Sequence, residues 1–586
     1  MIGAATILLA AALAVWPQVR LGDSCGHDFD FHLVSWFDAL SSWRQGILYP
    51  HWTASANYGA GEPRFVFYPP LTWMLGAALG TMLAWPLVPI ALTFLLLAGT
   101  GLATRALARQ RLEEGAATLA GCAALFSGYA LFTAYERTAF AELAGGFWIP
   151  LVVLFVLRNR NQSGSLCRRT LDGSAAPLAI VIAGCWLSNA PVGVMSCYLL
   201  AGLAVVAALL GRSAAPLLRA VMSMALGMGL AAIYLVPAAW EQRWVNIGEA
   251  TDDPAERIEN SWLFAHHADP ALAPHDTVLF KVSVLGASMI ALALICLLIF
   301  WLRGRLANST PMDRRWWISL ALIPIAILFL QLPVSLPVWN LLPKLRFLQF
   351  PWRWLVVLEA PMAILFAAAV WPRQLWRRAL VVAVCAICFF LASHAAAHYF
   401  FQSCDEEDNV LAMQNVYRSG AGFLGTDEYT PRGGDNSQLA SGLPSACFVY
   451  HPATTLGVLP GGVVTDDAAP VWSAQQSSCV ATFAAASNQA EDMQISAAVP
   501  HSGYLILRRR NYPAWMVKVN GQQIANLPNR SDGLIAVPVP QGAVSVTVHW
   551  HTTTDVAIGR WISALAVLLL TALWLWERKL NQPRLS

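Results

Sequence analysis

The chain has 586 residues, of which 57% are hydrophobic and 12% charged, against about 45–50% and about 25% in soluble domains. Its mean hydropathy is +0.52, which excludes a soluble globular enzyme, a disordered chain, a disulfide-rich miniprotein and a collagen-like fibre. Lys and Arg number 37 against 34 Asp and Glu, a net charge of +3; overall charge does not point to nucleic acid, and the placement of the charges carries the information.

In chain order, about twelve apolar runs reach the roughly 17–25 residues that a transmembrane helix needs. The first starts at Met1 and ends near Arg20. No basic segment precedes it, and its small residues, Ala10 to Ala14, lie inside the apolar run, so it reads as an uncleaved span. Basic clusters then recur: Arg105, Arg109 and Arg111; Arg158, Arg160, Arg168 and Arg169; Arg212 and Arg219; Arg303, Arg305, Arg314 and Arg315; Arg373, Arg377 and Arg378; Arg578 and Lys579. All of them fit on the cytoplasmic side under the positive-inside rule. This requires the run from Leu71 to Ala84, short and Gly-rich, to be an interfacial or re-entrant helix. The opposite face then receives the polar segments 22–70, 135–142, 240–276, 331–353 and, much the largest, about 402–554.

The expected fold is therefore a polytopic α-helical membrane protein with an inserted β-rich periplasmic domain. A transmembrane module covers 1–400, with its first periplasmic loop at 21–70; the β-rich domain covers 401–556; the last transmembrane helix and a cytoplasmic tail cover 557–586. Within the β-rich domain, 504–510 and 544–550 alternate as strands do, and 515–526 reads as a hairpin around Asn520-Gly521, a pair suited to a type I′ turn. Of 11 cysteines, Cys25, Cys404, Cys447 and Cys479 fall on the outer side. Cys447 and Cys479 are a candidate pair in an oxidising compartment, and two free thiols remain the alternative.

The chemistry concentrates in the first outer loop: Gly26-His27-Asp28-Phe29-Asp30-Phe31-His32, then Glu62 and Phe67-Tyr68-Pro69-Pro70. If Asp28 opens a helix, Asp28 and His32 share one face and Asp30 points elsewhere. The ordinary reading of such an Asp is a helix cap. The functional reading is a general base at the membrane surface, which takes a proton from an acceptor hydroxyl. A leaving phosphate then needs cations, and Arg137, Lys344, Arg346 and Arg353 are the outer-face candidates. Snorkelling at a span end is the alternative for Arg346 and Arg353, and mutual pairing the alternative for Arg137 and Glu142.

The loop at Gly26–His32, the stretch Tyr58-x-x-Gly61-x-Pro63, Phe67-Tyr68-Pro69-Pro70-Leu71, Arg137-x-x-x-x-Glu142, Phe350-Pro351-Trp352-Arg353-Trp354, Glu428-Tyr429-Thr430-Pro431 and Tyr512-Pro513-Ala514-Trp515 together resemble one group of bacterial membrane proteins. These are described as 6-pyruvoyl-tetrahydropterin synthase-related, although no His-rich zinc site of the soluble pterin enzyme is present. The architecture is similar to YfhO-like proteins and to the GT-C superfamily of integral-membrane glycosyltransferases. The resemblance covers nearly the whole chain. It implies an essential acid in the first outer loop, which maps onto Asp28 with Asp30 second and His32 beside them. It also implies a polyprenyl-phosphate-linked sugar donor, an envelope glycan or lipid acceptor, and inversion at the anomeric carbon. Donor phosphate contacts map to Arg137, Arg346 and Arg353, and substrate contacts to Glu62, Tyr68, Glu142 and Asn189. The resemblance implies no fixed cofactor. A divalent cation, Mg²⁺ or Mn²⁺, at Asp28-Phe29-Asp30 stays open, but two carboxylates need phosphate oxygens or further ligands to hold one. One departure matters: where the family often has Ser-His-x-Pro, this chain has Ser188-Asn189-Ala190-Pro191, and a neutral Asn carries no proton.

Two rivals remain at this level. A transporter or flippase of lipid-linked glycans shares the many spans, but such proteins place charges at the bilayer midplane and repeat their halves. Here Glu359 is the main charge within a span and no repeat is visible. A non-catalytic scaffold leaves the Asp28 loop unused. His266, His267, Asp269, His275 and Asp276 match no zinc spacing, Asp405 to Asp408 lack an EF-hand turn, and no nucleotide-binding motif is present.

Overall fold

The computed structural model describes residues 1–158, 165–303, 311–450, 457–458, 464–465 and 479–580. Nine of its helices are long and apolar enough to cross a membrane, from Ile2–Leu21 to Thr554–Leu580, among the described residues. Two further pairs pass only together, Ala215–Leu230 with Ala232–Trp244, bent by 74°, and Arg314–Leu330 with Pro333–Leu341, bent by 97°, which makes up to eleven. The remaining apolar run forms the shorter helix Ala175–Ser188. The roughly twelve apolar stretches of the sequence thus correspond to nine candidate spans, two bent pairs and one short helix among the described residues. Helices are the required form here, because lipid offers no partner for free backbone N–H and C=O groups.

Residues 70–80 form the helix Pro70–Gly80, 11 residues long, about 16 Å and too short to span. It packs on the helix Phe29–Arg44 of the first loop. A Cβ on Gly76 would lie 2.3 Å from the indole of the fully buried Trp36, so this contact needs glycine.

The β-rich segment forms two larger antiparallel sheets beside the two-stranded pair Gly457–Val458 and Val464–Thr465. One has the strand order Leu534–Val539, Gly503–Arg510, Ala446–Val449, Ala481–Phe483; the other runs Ala485–Asn488, Asp492–Val499, Gly542–Trp550, Trp515–Val519, Gln522–Gln523. Phe448, Leu505, Ile495, Val517 and Val546 are all buried in one cluster between them. The strands at 504–510 and 544–550 and the hairpin at 515–526 lie where alternation places them. Asn520 and Gly521 both have positive φ, 49° and 83°, as a type I′ turn demands. Cys447 and Cys479 form a disulfide.

The first loop is not free. Cys25 is bonded to Cys404 across 379 residues, and Trp52, fully buried, packs against Tyr512, Trp515 and Trp550 of the β-rich segment. His51 N–H donates to Glu491 at 2.8 Å, and Arg510 N–H donates to the Ala60 carbonyl at 2.9 Å. The loop is thus a platform on which the β-rich segment sits. Its turn requires glycine at Gly61, where φ is +76° and a Cβ would stand 1.9 Å from the Trp52 indole nitrogen.

Candidate active site

Two backbone loops cross at the head of the bundle. Asp28 N–H donates to the Arg137 carbonyl at 2.9 Å, and Gly26 N–H donates to Thr138 Oγ1 at 2.9 Å. A Cβ on Gly26 would lie 2.5 Å from the Glu136 carbonyl oxygen, which accounts for the glycine before His27-Asp28. On the other loop, Thr138 takes a left-handed φ of 49° and ties Ser24 and Gly26 through its hydroxyl.

This crossing sets the direction of Asp28. It is the N-terminal residue of the helix Phe29–Arg44, yet its side chain makes no capping hydrogen bond. The carboxylate instead faces Arg137, Oδ2 to Nη2 at 3.5 Å, and its side chain is 35% exposed. The ordinary capping role is therefore vacant, and the group is both held and accessible.

Behind it lies a buried charge cluster. Arg137 also pairs with Glu142 at 2.6 Å, and Arg353 approaches the same Glu142 oxygen at 3.4 Å. Tyr129 donates to the other oxygen of Glu142. Burial works against the Arg137 charge, but Glu142 and then Asp28 more than offset it, and its pKa is raised. Arg353 differs: its Nε is the atom that faces Glu142, at 3.4 Å and without hydrogen-bond geometry, its side chain is 12% exposed, and its guanidinium lies 5.2 Å from the centre of the Phe350 ring. The cluster thus holds one cation fully engaged and one with donors to spare.

Tyr68 and His32 close the apolar side. The two rings meet edge to face at 5.8 Å, and His32 also packs on Phe140 at 5.2 Å. His32 is fully buried and neither ring nitrogen has a hydrogen-bond partner among the described residues. Burial lowers its pKa to about 4, so it stands neutral beside the site. Burial likewise raises the Tyr68 phenol above its ordinary range.

Beside Asp30 opens a cleft of about 950 Å³ between the first loop, residues 249–256 and residues 407–428. Eight carboxylates line it, among them Asp30, Glu256 and Glu428, with Arg64 the cation. Glu256 is pushed up to about 7 by burial and by Asp253, against the pull of Arg353. Glu428 is likewise pushed up to about 7 by burial, with Glu62 adding to it. Asp30 accepts the Phe31 N–H at 2.7 Å and is raised chiefly by burial.

Other sequence candidates stand elsewhere. Glu62 is buried in an ion pair with Arg64 at 2.7 Å and accepts Thr426 N–H at 2.8 Å, joining the first loop to the following segment. Asn189 caps the helix Ala190–Gly211 by accepting Val192 N–H at 3.0 Å. Arg346 is half exposed and paired with Glu259 at 2.7 Å. Lys344 is exposed in a turn with φ of 60°. The structure brings together Asp28, His32, Tyr68, Arg137, Glu142 and Arg353, with Asp30 on the cleft wall, and leaves Glu62, Asn189 and Arg346 in joints and caps. Sequence reasoning missed Lys281, which binds Glu136 at 2.7 and 2.9 Å; a lone lysine near the start of an apolar run is the signal that marks it. It missed Tyr129 as well, which looks like any core aromatic.

The residues at Asp28-Phe29-Asp30 do not make a metal site by themselves. Asp28 faces Arg137, Asp30 faces its own helix start, and no group of three or more His, Cys, Asp or Glu side chains is placed to hold an ion among the described residues.

Fold and site together define a polytopic helical membrane protein that carries a polar site where its first loop, its bundle and its β-rich segment meet. The family model of the 6-pyruvoyl-tetrahydropterin synthase related domain, described as a membrane protein, matches residues 65–400, and the chain belongs to that family. No curated protein matches it. Among solved structures it is similar to the Archaeoglobus fulgidus oligosaccharyltransferase in its complex with Zn and sulfate, at 13% identity and a TM-score of 0.44, over 76% of this chain and 59% of that one. The apo form of that protein gives 12% and 0.45, over 77% and 62%. The archaeal oligosaccharyltransferase AglB with an inhibitory peptide and a dolichol-phosphate gives 12% and 0.42, over 77% and 62%. The chain thus spans about three fifths of the length of these structures.

Proposed function

We propose that the protein is a membrane glycosyltransferase, which moves a sugar from a polyprenyl-phosphate-linked donor to an envelope glycan or lipid acceptor on the periplasmic face of a bacterial inner membrane. One observation carries this reading. A partly exposed carboxylate, Asp28, is released from helix capping and held by Arg137, and Arg353, a nearly buried cation, is paired only loosely, through Nε to Glu142 at 3.4 Å.

In the reaction Asp28 takes the proton of an acceptor hydroxyl as its oxygen attacks the anomeric carbon. The bond from that carbon to the phosphate oxygen breaks, the electron pair leaves with the lipid phosphate, and the configuration inverts. Arg353 receives the growing charge on that phosphate, where a planar fork binds two oxygens. Arg137 is engaged on both sides and acts as a positioning residue for Asp28. The proton on Asp28 then passes to water. Eight carboxylates in the cleft favour acceptors that are neutral or cationic and whose hydroxyls can donate, and they disfavour anionic acceptors. The two disulfides agree with an oxidising compartment for this face.

The test is mass spectrometry of envelope glycans and lipid-linked sugars in cells lacking the gene, restored with wild type, or restored with Asp28→Asn at matched abundance. Loss of one sugar decoration and accumulation of its lipid-linked donor in both the null and the Asp28→Asn cells is the expected result. A wild-type profile with Asp28→Asn contradicts the assignment.

A further inference from the structure

Five arginines face one cavity at the end of the bundle remote from Asp28. Arg111, Arg158, Arg169, Arg219 and Arg315 line a space of about 220 Å³ where the helices Gly145–Leu157, Ala190–Gly211, Ala215–Leu230 and Pro311–Leu330 meet. Glu142 precedes the first of these helices and Arg158 follows it, so about 24 Å of helix axis separate the cavity from the charge cluster at Glu142. No Asp or Glu is among the described lining residues.

The positive-inside rule alone places arginines in loops, where water screens them; it does not gather them around a cavity. Here the gathering is built. Arg219 is buried and paired with Asp172 at 3.0 Å. It donates to the carbonyls of Arg158 at 2.7 Å, Arg169 at 2.8 Å and Thr170 at 3.2 Å. One internal cation thereby fixes the backbone that carries two others. Ser319 also lines the cavity; it is fully buried, and its hydroxyl has no hydrogen-bond partner among the described residues. The Nε of Arg169 is also buried without one. Arg169 and Arg315 bring two positive charges to this small space, and an anion between them relieves their repulsion, while buried donors without partners call for an acceptor. The other walls are apolar, with Val156, Leu157 and Ala207, and Trp316 lies beside them, an arrangement that suits a polar head with an acyl chain attached.

We propose that this cavity binds a phosphate group, carried by the head of an anionic membrane lipid. The proposal concerns the face opposite the Asp28 site and does not depend on the transferase reading.

The experiment uses the full chain in nanodiscs of phosphatidylcholine, with phosphatidylglycerol or inorganic phosphate added, and reads the unfolding midpoint and, by native mass spectrometry, the lipid retained. Phosphatidylglycerol is expected to raise the midpoint of the wild type and to be retained. The double variant Arg169→Gln/Arg315→Gln is expected to bind it at least tenfold more weakly while keeping the wild-type midpoint in phosphatidylcholine alone. Where the double variant fails to fold, Arg315→Gln alone carries the comparison. A shift equal in wild type and variants overturns the proposal, as does no shift with either probe. A shift with inorganic phosphate as large as with lipid, and lost in the variants, overturns the lipid source and leaves a site for free phosphate.

Discussion

Cys25 and Cys404 stand 379 residues apart in the chain and share one disulfide, three residues before Asp28 and at the start of the segment that leads into the β sheets. The bond therefore ties the loop that carries Asp28 to the segment that leads into the β sheets, and Trp52 packs the same loop against those sheets. Cross-links that close long loops stabilise by about 2–4 kcal/mol. Cys25→Ser/Cys404→Ser is expected to lower the midpoint in thermal unfolding and to open the 21–70 loop to protease, with the loop cleaved faster than the helical bundle.

Arg353 and Arg137 have different tasks, and their variants separate. Arg353→Gln removes the proposed phosphate receptor and is expected to lower turnover about 10²–10³-fold, the usual cost of one charge-stabilising donor. Arg353→Lys recovers part of this, because a point charge replaces a fork. Arg137→Gln leaves Glu142 buried with a weaker partner and costs about 3–5 kcal/mol of stability, since breaking a buried pair exposes its cost. Steady-state kinetics beside thermal unfolding distinguishes the two.

His32 gives a pH signature of known sign. Its folded pKa, about 4, lies below the ordinary histidine value of 6.5, so between these values the unfolded chain binds more protons. Stability from this residue is full above pH 6.5 and is lost as pH falls toward 4. His32→Phe, which keeps the apolar packing with Phe140 and Tyr68, is expected to flatten that limb of the stability profile. An unchanged slope in unfolding measurements from pH 4 to 7 contradicts the neutral buried state.

Glu428 has the opposite sign. Its folded pKa is about 7 against 4.5, so the folded chain holds the extra proton between these values, and stability falls as pH rises through that window. Glu428→Gln is expected to stabilise the protein at pH 8 by roughly 1–2 kcal/mol after allowance for solvent screening and to have little effect at pH 4. Chemical denaturation at the two pH values checks it.

The helices and the Asn520-Gly521 hairpin were legible in the sequence because hydropathy and turn chemistry are local properties. The site was legible only in part. Asp28 stood out as a carboxylate beside a span, but its contact with Arg137 crosses 109 residues, and nothing local encodes it. Several residues of the motifs are packed as joints: Gly61 beneath Trp52, Glu62 on Arg64 and Thr426, Tyr429 stacked on Phe67 at 5.6 Å. Packing and chemistry place the same residue types in the same loops, and only the distances tell them apart.

Whether Asp28 is the base, and whether the protein transfers sugar at all, is read from the rate at which membranes from cells lacking the gene, restored with wild type or Asp28→Asn, consume the lipid-linked sugar that accumulates in the null. Wild-type membranes are expected to discharge it, and Asp28→Asn membranes, with equal protein and an unchanged unfolding midpoint, to do so about 10²–10⁴-fold more slowly. Equal rates for the two would contradict Asp28 as the base, and no discharge by wild-type membranes would contradict the transferase itself.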